Sequence, residues 1–174
     1  MAERSSGGRA WVFGDDIDTD VLAPGQYMKG PVEELAKHCL EVVDPAFAPG
    51  VAVGDVVVGG RNFGLGSSRE QAAQVLKILG IEAVVASSFG GIFYRNALNL
   101  GLVAVVCPAI CTVNPGDILT VDARAGCIEN QTRNESYDCE PLPDHLMSMI
   151  ENGGLIPHLE LKLAADRKKI GGPK

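Results

Sequence analysis

Short apolar runs separated by glycine-rich connections dominate the first part of the chain. Val56 to Val58, Ala83 to Ala86 and Leu102 to Val106 are continuous apolar runs of strand length, which is typical of strands buried on both faces. Between them lie two segments with helical spacing, Ala72 to Leu79 and Ile92 to Leu100, each followed by a glycine. This alternation predicts βαβαβ units and a parallel sheet, so the fold class is α/β.

Weaker patterns flank this unit. Arg9 to Phe13 is a short strand candidate, and Ile118 to Val121 with Cys127 to Gln131 predict a hairpin. Three further helices are predicted: Pro31 to Leu40, Asp144 to Glu151 and Pro157 to Lys169.

Length and composition predict one domain spanning residues 1–174. The chain has 174 residues, 46% of them apolar, and 21 glycines, which suits an α/β domain with many tight turns. Met1 to Gly8 is expected to be frayed, and residues 157–174 form a C-terminal tail. The net charge of −7 argues against nucleic acid as a partner.

Five cysteines form no compact, even-numbered framework: Cys39, Cys107, Cys111, Cys127 and Cys139. The sequence shows neither a signal-peptide pattern nor an apolar run of membrane length, so we expect no signal peptide and a reduced, cytoplasmic protein without membrane contact. Cys107 and Cys111 allow a metal site, but buried or incidental thiols are favoured, and no metal ligand is assigned. The acidic loop from Gly14 to Asp20 lacks the spacing of a calcium loop.

The segment Gly60 to Ala72 carries the chain from the Val56 strand into the next helix. Free backbone N–H groups and the positive end of the helix dipole favour anion binding at such a place. We expect Ser67, Ser68 and Arg69 in the first helical turn, with glycines such as Gly66 allowing a ligand to approach the backbone. The Arg69 guanidinium has a fork suited to a carboxylate or a phosphate.

A structural alternative explains the serines without a ligand. Ser67 with Glu70 and Ser68 with Gln71 both fit a capping box, and spacing alone favours capping over catalysis. Capping does not account for Arg69. Neither a P-loop nor a dinucleotide fingerprint fits, because no Lys-Ser/Thr follows the glycines and the third glycine is missing.

Three ordered motifs carry a resemblance to a known family. The segment Gly60 to Ala72 resembles the G-x-N-F-G-x-G-S-S-R-E-H-A signature of the aconitase superfamily's mobile C-terminal (swivel) domain, in its separate small-subunit form. Val12 to Asp20 is similar to that family's G-D-x-x-D-T-D segment, and Phe93 to Leu102 resembles its F-x-R-N-x-x-N-x-G-L segment. The departure is Gln71, where the family usually has histidine; glutamine can still close a capping box.

The resemblance implies a three-layer β/β/α swivel-like fold and the small subunit of a two-subunit hydro-lyase, as in 3-isopropylmalate dehydratase and homoaconitase. It implies dehydration and rehydration of a hydroxy polycarboxylate, with Ser67 as base and Ser68 with the loop amides as donors to the developing charge. Arg69 would bind a substrate carboxylate, with Thr19, Asp20 and Gly66 at the same cleft. The [4Fe–4S] cluster is expected in the large subunit, and no cofactor in this chain.

Substrate choice stays open at this point. The resemblance places Tyr27, Met28 and Lys29 in a loop that helps to decide which substrate side chain is accepted, and the local sequence matches neither the isopropylmalate nor the homoaconitate pattern. A homoaconitase-, citraconate- or dimethylmalate-type hydratase subunit is the alternative within the family. A non-catalytic carboxylate-binding module is the alternative outside it.

Overall fold

The computed structural model describes residues 7–170. Within this range there are seven strands: β1 Gly8–Val12, β2 Val56–Gly59, β3 Ala83–Ala86, β4 Val103–Val106, β5 Ile118–Asp122, β6 Cys127–Asn130 and β7 Glu135–Asp138. The α-helices are α1 Thr19–Leu22, α2 Val32–Ala36, α3 Phe47–Gly50, α4 Gln71–Ile78, α5 Gly91–Asn99, α6 Asp144–Glu151 and α7 Leu155–Ile170. Two 3₁₀ turns, Gly25–Tyr27 and Pro108–Thr112, complete the elements.

All seven strands form one sheet in the order β4-β3-β2-β1-β5-β6-β7. Strands β1 to β4 are parallel, with Ala10 opposite Val56 and Val56 opposite Ala83. Strand β5 pairs antiparallel with β1, and β6 and β7 continue antiparallel. The β2–α4–β3–α5–β4 unit thus confirms the predicted parallel sheet, and β5 with β6 confirms the predicted hairpin.

The two faces of the parallel half are covered by different layers. Val57 and Val84 face the helices in what we call the helix-side core. Val56 and Val85 face the opposite way, as the two-residue period of a strand requires, and lie in the hairpin-side core. The antiparallel strands contribute one residue each to that second core: Leu119, Ile128 and Tyr137. The sheet therefore curls over itself, which gives the three layers β/β/α.

Several boundaries differ from the sequence expectations. Gly8 is buried in β1, so the expected frayed segment does not extend to it, and residues 1–6 lie outside the described part. The predicted helix Pro31 to Leu40 ends at Ala36 and continues as turns. Leu40 has a φ of 60° and donates its N–H to Val21 O instead of to its own helix. The tail helix begins at Leu155, and residues 171–174 lie outside the described part.

Across residues 7–170, no helix combines the length and apolar character that a bilayer crossing needs.

Asp55, just before β2, joins the first two strands to the preceding loop. Its carboxylate accepts hydrogen bonds from Arg9 N–H at 3.1 Å, Trp11 Nε1–H at 2.9 Å and Ala52 N–H at 2.9 Å. Burial by itself raises the pKa of this carboxyl, but the Ala52, Trp11 and Arg9 hydrogen bonds and the Arg9 charge outweigh it. The pKa of Asp55 is therefore lowered below its ordinary value.

We expect Asp55→Ala to lower the free energy of unfolding by about 2–4 kcal/mol at pH 7, because three N–H donors lose their acceptor. Since the folded-state pKa is lowered, the ionised carboxylate stabilises the fold fully above the unfolded value of about 4 and loses that effect as pH falls through the folded value. Urea denaturation at pH 7 and at about pH 3 measures both effects.

The exposed Glu33 in α2 offers a control carboxylate for that comparison. Glu33→Ala should change the free energy of unfolding by less than about 0.5 kcal/mol at either pH. An Asp55→Ala penalty that persists undiminished at acid pH would contradict the assigned role of the ionised form.

Candidate functional site

Three loops meet at the carboxyl ends of β1, β2 and β3. Asp18 pairs with Leu65, and Phe63 pairs with Phe89, as isolated parallel bridges beyond the strands. Gly64 N–H donates to Ile17 O at 2.6 Å, and Phe63 N–H donates to Ser88 O at 2.9 Å. The glycine-containing segment is therefore held on both sides by the loops that follow neighbouring strands. In open α/β sheets this edge is where ligands bind.

Two glycines in this segment have conformations and surroundings that exclude a side chain. Gly64 has a φ of 76°, and a Cβ built on it would lie 2.2 Å from Cγ of Phe93. Gly66 has a φ of 114°, and its Cβ would lie 3.0 Å from Oγ1 of Thr19. Backbone in this region favours glycine. The glycines thus let the chain pass close to α5 and to Thr19 just before the two serines.

Ser67 and Ser68 are exposed and precede α4, rather than lying in its first turn as expected from the sequence. Helix α4 begins at Gln71, and Glu70 at its N-cap makes no side-chain capping hydrogen bond. The capping-box alternative for the serines is therefore wrong. Ser67 instead lies against Thr19, whose Oγ1 accepts Ser67 N–H at 3.1 Å and lies 3.2 Å from Ser67 Oγ.

Backbone N–H groups without an acceptor among the described residues lie at Ser68 and at the three residues that follow it. The N–H groups of Ser68, Arg69, Glu70 and Gln71 donate no hydrogen bond to the part of the chain that the structure describes. They lie at the positive end of the α4 dipole, where an anionic group is stabilised.

Two acceptors bind the Arg69 guanidinium. Its guanidinium forms an ion pair with Asp20, and its Nη1 donates to Ala23 O at 3.1 Å. The Arg69 side chain is 25% exposed, whereas Asp20 is 67% exposed. Arg69 is therefore a mostly buried cation that Asp20 and Ala23 O hold against α1.

Thr19 and Asp20, predicted to lie together at a substrate cleft, have different environments. Asp20 faces solvent and pairs with Arg69. Thr19 is only 2% exposed and lies behind Ser67. Both residues belong to α1, whose N-cap Asp18 accepts Val21 N–H at 2.9 Å.

The segment Tyr27 to Lys29 begins at the last residue of the 3₁₀ turn Gly25–Tyr27, which lies beside Arg69. Tyr27 stacks on His38 with ring centroids 3.5 Å apart and planes inclined by 7°. Tyr27 and Met28 are half-buried against the helix-side core, and Lys29 is exposed. Gly25 in the same turn faces Arg69, since a Cβ built on it would lie 3.8 Å from Nη2.

The sequence analysis did not predict a group of paired polar side chains next to the site, formed by Asp15, Asp16, Arg61 and Asn62. Arg61 N–H donates to Asp15 Oδ1 at 2.7 Å, and its Nη2 donates to Oδ2 at 2.8 Å. The Arg61 backbone and side-chain hydrogen bonds lower the pKa of the Asp15 carboxyl. Asn62 Nδ2–H donates to Asp16 Oδ1 at 2.8 Å. The sequence contained an indication of this ion pair and these hydrogen bonds, because Gly14-Asp15-Asp16 and Arg61-Asn62 both lie inside motifs that carry the family resemblance.

The cysteines do not gather into a metal-binding group. Cys39 and Cys107 are buried, and desolvation raises the pKa of both thiols. Among residues 7–170, no group of three or more His, Cys, Asp and Glu side chains is arranged to hold a metal ion. These residues do not fit an iron–sulfur cluster, which needs cysteine thiolates gathered around it.

Comparison with known proteins shows the family of this chain. The profile of the Aconitase C-terminal domain family matches residues 27–109. The 3-isopropylmalate dehydratase small subunit 1 of Archaeoglobus fulgidus is 52% identical over 150 residues, covering 86% of this chain and 93% of that protein. The methanogen homoaconitase small subunit of Methanothermobacter thermautotrophicus is 46% identical over 152 residues, covering 87% and 88%.

A crystal structure of 3-isopropylmalate dehydratase from Methanocaldococcus jannaschii superposes with a TM-score of 0.89 at 41% identity. The match covers 94% of this chain and 98% of that one. The chain belongs to the aconitase-superfamily small subunits of hydro-lyases, the group that includes those of 3-isopropylmalate dehydratase and homoaconitase.

Proposed function

We propose that this chain supplies the base and the carboxylate-binding cation for reversible removal of water from a hydroxy polycarboxylate. The observation that supports the proposal is the exposed Ser67 hydroxyl in a loop that also carries Arg69 and whose N–H groups from Ser68 to Gln71 have no acceptor in the described part of the chain. A base, a fixed cation and oriented donors are what abstraction of a proton beside a carboxylate requires.

Ser67 takes the proton from the carbon next to the carboxylate. A serine hydroxyl is a weak base, so it acts as an alkoxide or as a strongly polarised hydroxyl, which the α4 N-terminus and Arg69 favour by their positive charge. The electron pair of the broken C–H bond moves toward the carboxylate. Ser68 and the adjacent N–H groups donate to the oxygen on which this charge accumulates.

Arg69 binds a substrate carboxylate and places the substrate against Ser67. Its fork offers two parallel N–H donors, a geometry that matches a carboxylate. Asp20 and Ala23 O hold the guanidinium from the protein side. When the base and the substrate carboxylate are both held in place, the C–H bond to be broken lies within reach of Ser67. This lowers the entropic cost of reaching the transition state.

The leaving hydroxide needs a Lewis acid. We propose that a large subunit carries a [4Fe–4S] cluster for this purpose, since the described part of this chain offers no thiolate cage for it. The small-subunit names of the relatives support a large partner subunit, whereas the cluster is part of the proposal. The active protein is then a cytoplasmic heteromer without nucleic acid or membrane partners.

Isopropylmalate is the proposed substrate, and homoaconitate the second candidate, because relatives with both names match most of this chain. We propose that Tyr27, Met28 and Lys29 contact the substrate side chain, since the turn that ends at Tyr27 lies against Arg69 at Gly25. Gly66 lets the substrate approach the backbone beside Ser67.

Reconstitution with the large subunit of a 3-isopropylmalate dehydratase tests this function. We expect no hydratase activity and no iron–sulfur absorbance from the purified chain, and turnover once the subunits are combined. The large subunit alone is the control, and the panel is isopropylmalate, homoaconitate, citraconate and dimethylmalate. Activity of the isolated chain would overturn the two-subunit proposal. Carboxylate binding without turnover of any of the four would favour the non-catalytic module.

A further inference from the structure

Thr19 is a buried polar residue directly behind the proposed base. It is 2% exposed, so its side chain offers almost no surface to a substrate. Its Oγ1 has two neighbours on Ser67: the backbone N–H at 3.1 Å and the Oγ at 3.2 Å. The sequence expectation placed Thr19 among substrate-binding residues; its burial and contacts favour a different task.

The backbone fixes the Thr19 hydroxyl in this position. Thr19 N–H donates to Leu65 O at 2.9 Å, and Thr19 O accepts Ala23 N–H at 2.9 Å. The missing Cβ of Gly66 leaves room for the hydroxyl, because a side chain there would come within 3.0 Å of it. Thr19 is therefore held by Leu65 and by its own helix, while Gly66 leaves space for its hydroxyl.

The roles of the two hydroxyls follow from proton counting. The Thr19 oxygen accepts the Ser67 N–H through a lone pair, which leaves its single proton free to point elsewhere. When Ser67 is deprotonated, its Oγ has no proton and can only accept. The contact at 3.2 Å must then be a hydrogen bond from Thr19 O–H to Ser67 Oγ.

We infer that Thr19 is a positioning residue that acts through Ser67, holding its backbone by accepting the N–H and stabilising its anionic Oγ by donating the hydroxyl proton. This inference rests on the proposed role of Ser67 as base. In proton abstraction the substrate C–H bond breaks and a new Ser67 O–H bond forms, while Thr19 keeps its own proton. A donor to the charged form favours that form, so Thr19 increases the fraction of Ser67 able to act.

The test is a double-mutant cycle in the reconstituted enzyme with Thr19→Val, Thr19→Ser, Ser67→Ala and the double variant Thr19→Val/Ser67→Ala. Valine keeps the shape of threonine without its hydroxyl, and serine keeps the hydroxyl. We expect Thr19→Val to reduce kcat by about 100-fold, as removal of one donor to a developing anion does, with KM changed by less than about 3-fold. Thr19→Ser should restore most of the lost turnover.

In the Ser67→Ala background, Thr19→Val should reduce the residual turnover by less than about 3-fold, because the group on which it acts is already gone. Thr120→Val, which removes a threonine hydroxyl from a hydrogen bond with Gln131 on the antiparallel half, is the control for general loss of packing. Melting temperatures of all variants show whether the fold is kept.

Three results would overturn the inference: a raised KM with kcat retained in Thr19→Val, failure of Thr19→Ser to recover turnover, or full additivity with Ser67→Ala. The first would make Thr19 a substrate ligand. Failure of the proposed function can be told apart from failure of this inference. If Ser67 is not the base, the Ser67→Ala enzyme keeps its turnover, whatever the Thr19 variants do.

Discussion

Replacing Ser67 by alanine is expected to reduce kcat by about 100-fold or more while changing the free energy of unfolding by less than about 0.5 kcal/mol. Turnover falls because the base that takes the substrate proton is missing. Stability is kept because Ser67 does not cap α4 and its side chain is exposed. The measurement is steady-state kinetics of the reconstituted enzyme together with urea denaturation of this chain.

Ser136→Ala, at an exposed position on the far edge strand β7, is the matched control and should leave both quantities unchanged. A lost helix cap would give the opposite pattern, a destabilisation of about 0.5–2 kcal/mol with turnover preserved. That pattern in Ser67→Ala would remove Ser67 from the mechanism.

Arg69→Lys is expected to raise KM by about 10- to 100-fold and to change kcat by less than about 3-fold. Lysine keeps the charge but not the two-donor fork, and one charge-assisted hydrogen bond contributes about 1.5–3 kcal/mol. The variant also loses the Nη1 hydrogen bond to Ala23 O that orients the side chain. Substrate titration of the reconstituted enzyme separates the two constants.

Arg133 provides a control with the same chemistry at a remote place. Its Nη1 donates to Thr112 O at 2.9 Å, and it pairs with Glu135 at 3.2 Å, so it resembles Arg69 in both contacts. Arg133→Lys should leave KM unchanged. If Arg69→Lys instead lowers kcat at constant KM, the guanidinium acts on the transition state and not on substrate binding.

The parallel half of the fold could be predicted because its strands are buried on both faces. All four residues of β2 and of β3 are buried, so each strand is a continuous apolar run that stands out between glycines. Strand β7 was missed because only Tyr137 of its four residues is buried. A polar edge strand with one inward side chain shows neither alternation nor an apolar run.

The predicted helix from Pro31 to Leu40 shows a second limit. Four of its five apolar positions are buried as the pattern indicated, namely Leu35, Ala36, Cys39 and Leu40, and Val32 is partly buried. The helix nevertheless ends at Ala36, where turns with hydrogen bonds three residues apart, such as His38 N–H to Leu35 O, take over. These turns keep nearly the same face inward, so hydrophobic spacing does not distinguish them from an α-helix.

At the candidate site, the sequence indicated which residues to consider but not which residues they contact in the fold. The G-S-S-R segment predicts Ser67, Ser68 and Arg69 as site residues, which stays a prediction; in the structure the two serines are exposed and Arg69 is partly buried. The burial of Thr19 behind Ser67 could not be predicted, because it depends on the bridge between Asp18 and Leu65, which joins loops far apart in the chain.

The central place of β1 in the sheet has a consequence for how the chain folds. The first strand made lies between β2 and β5, with Arg9 opposite Ile118 and Ala10 opposite Val56. It belongs to both halves, so neither the parallel half nor the antiparallel half is a complete unit without it. Strands that are far apart in the sequence, such as β1 and β5, pair slowly, because the chain between them must close into a loop before the pairing stabilises it. The proposed catalytic loop contacts the segments that follow β1 and β3, so local melting of the hairpin side would reach it by two routes. One route is β1 itself, and the other is the hairpin-side core, where Val56 and Val85 pack with residues of the antiparallel strands.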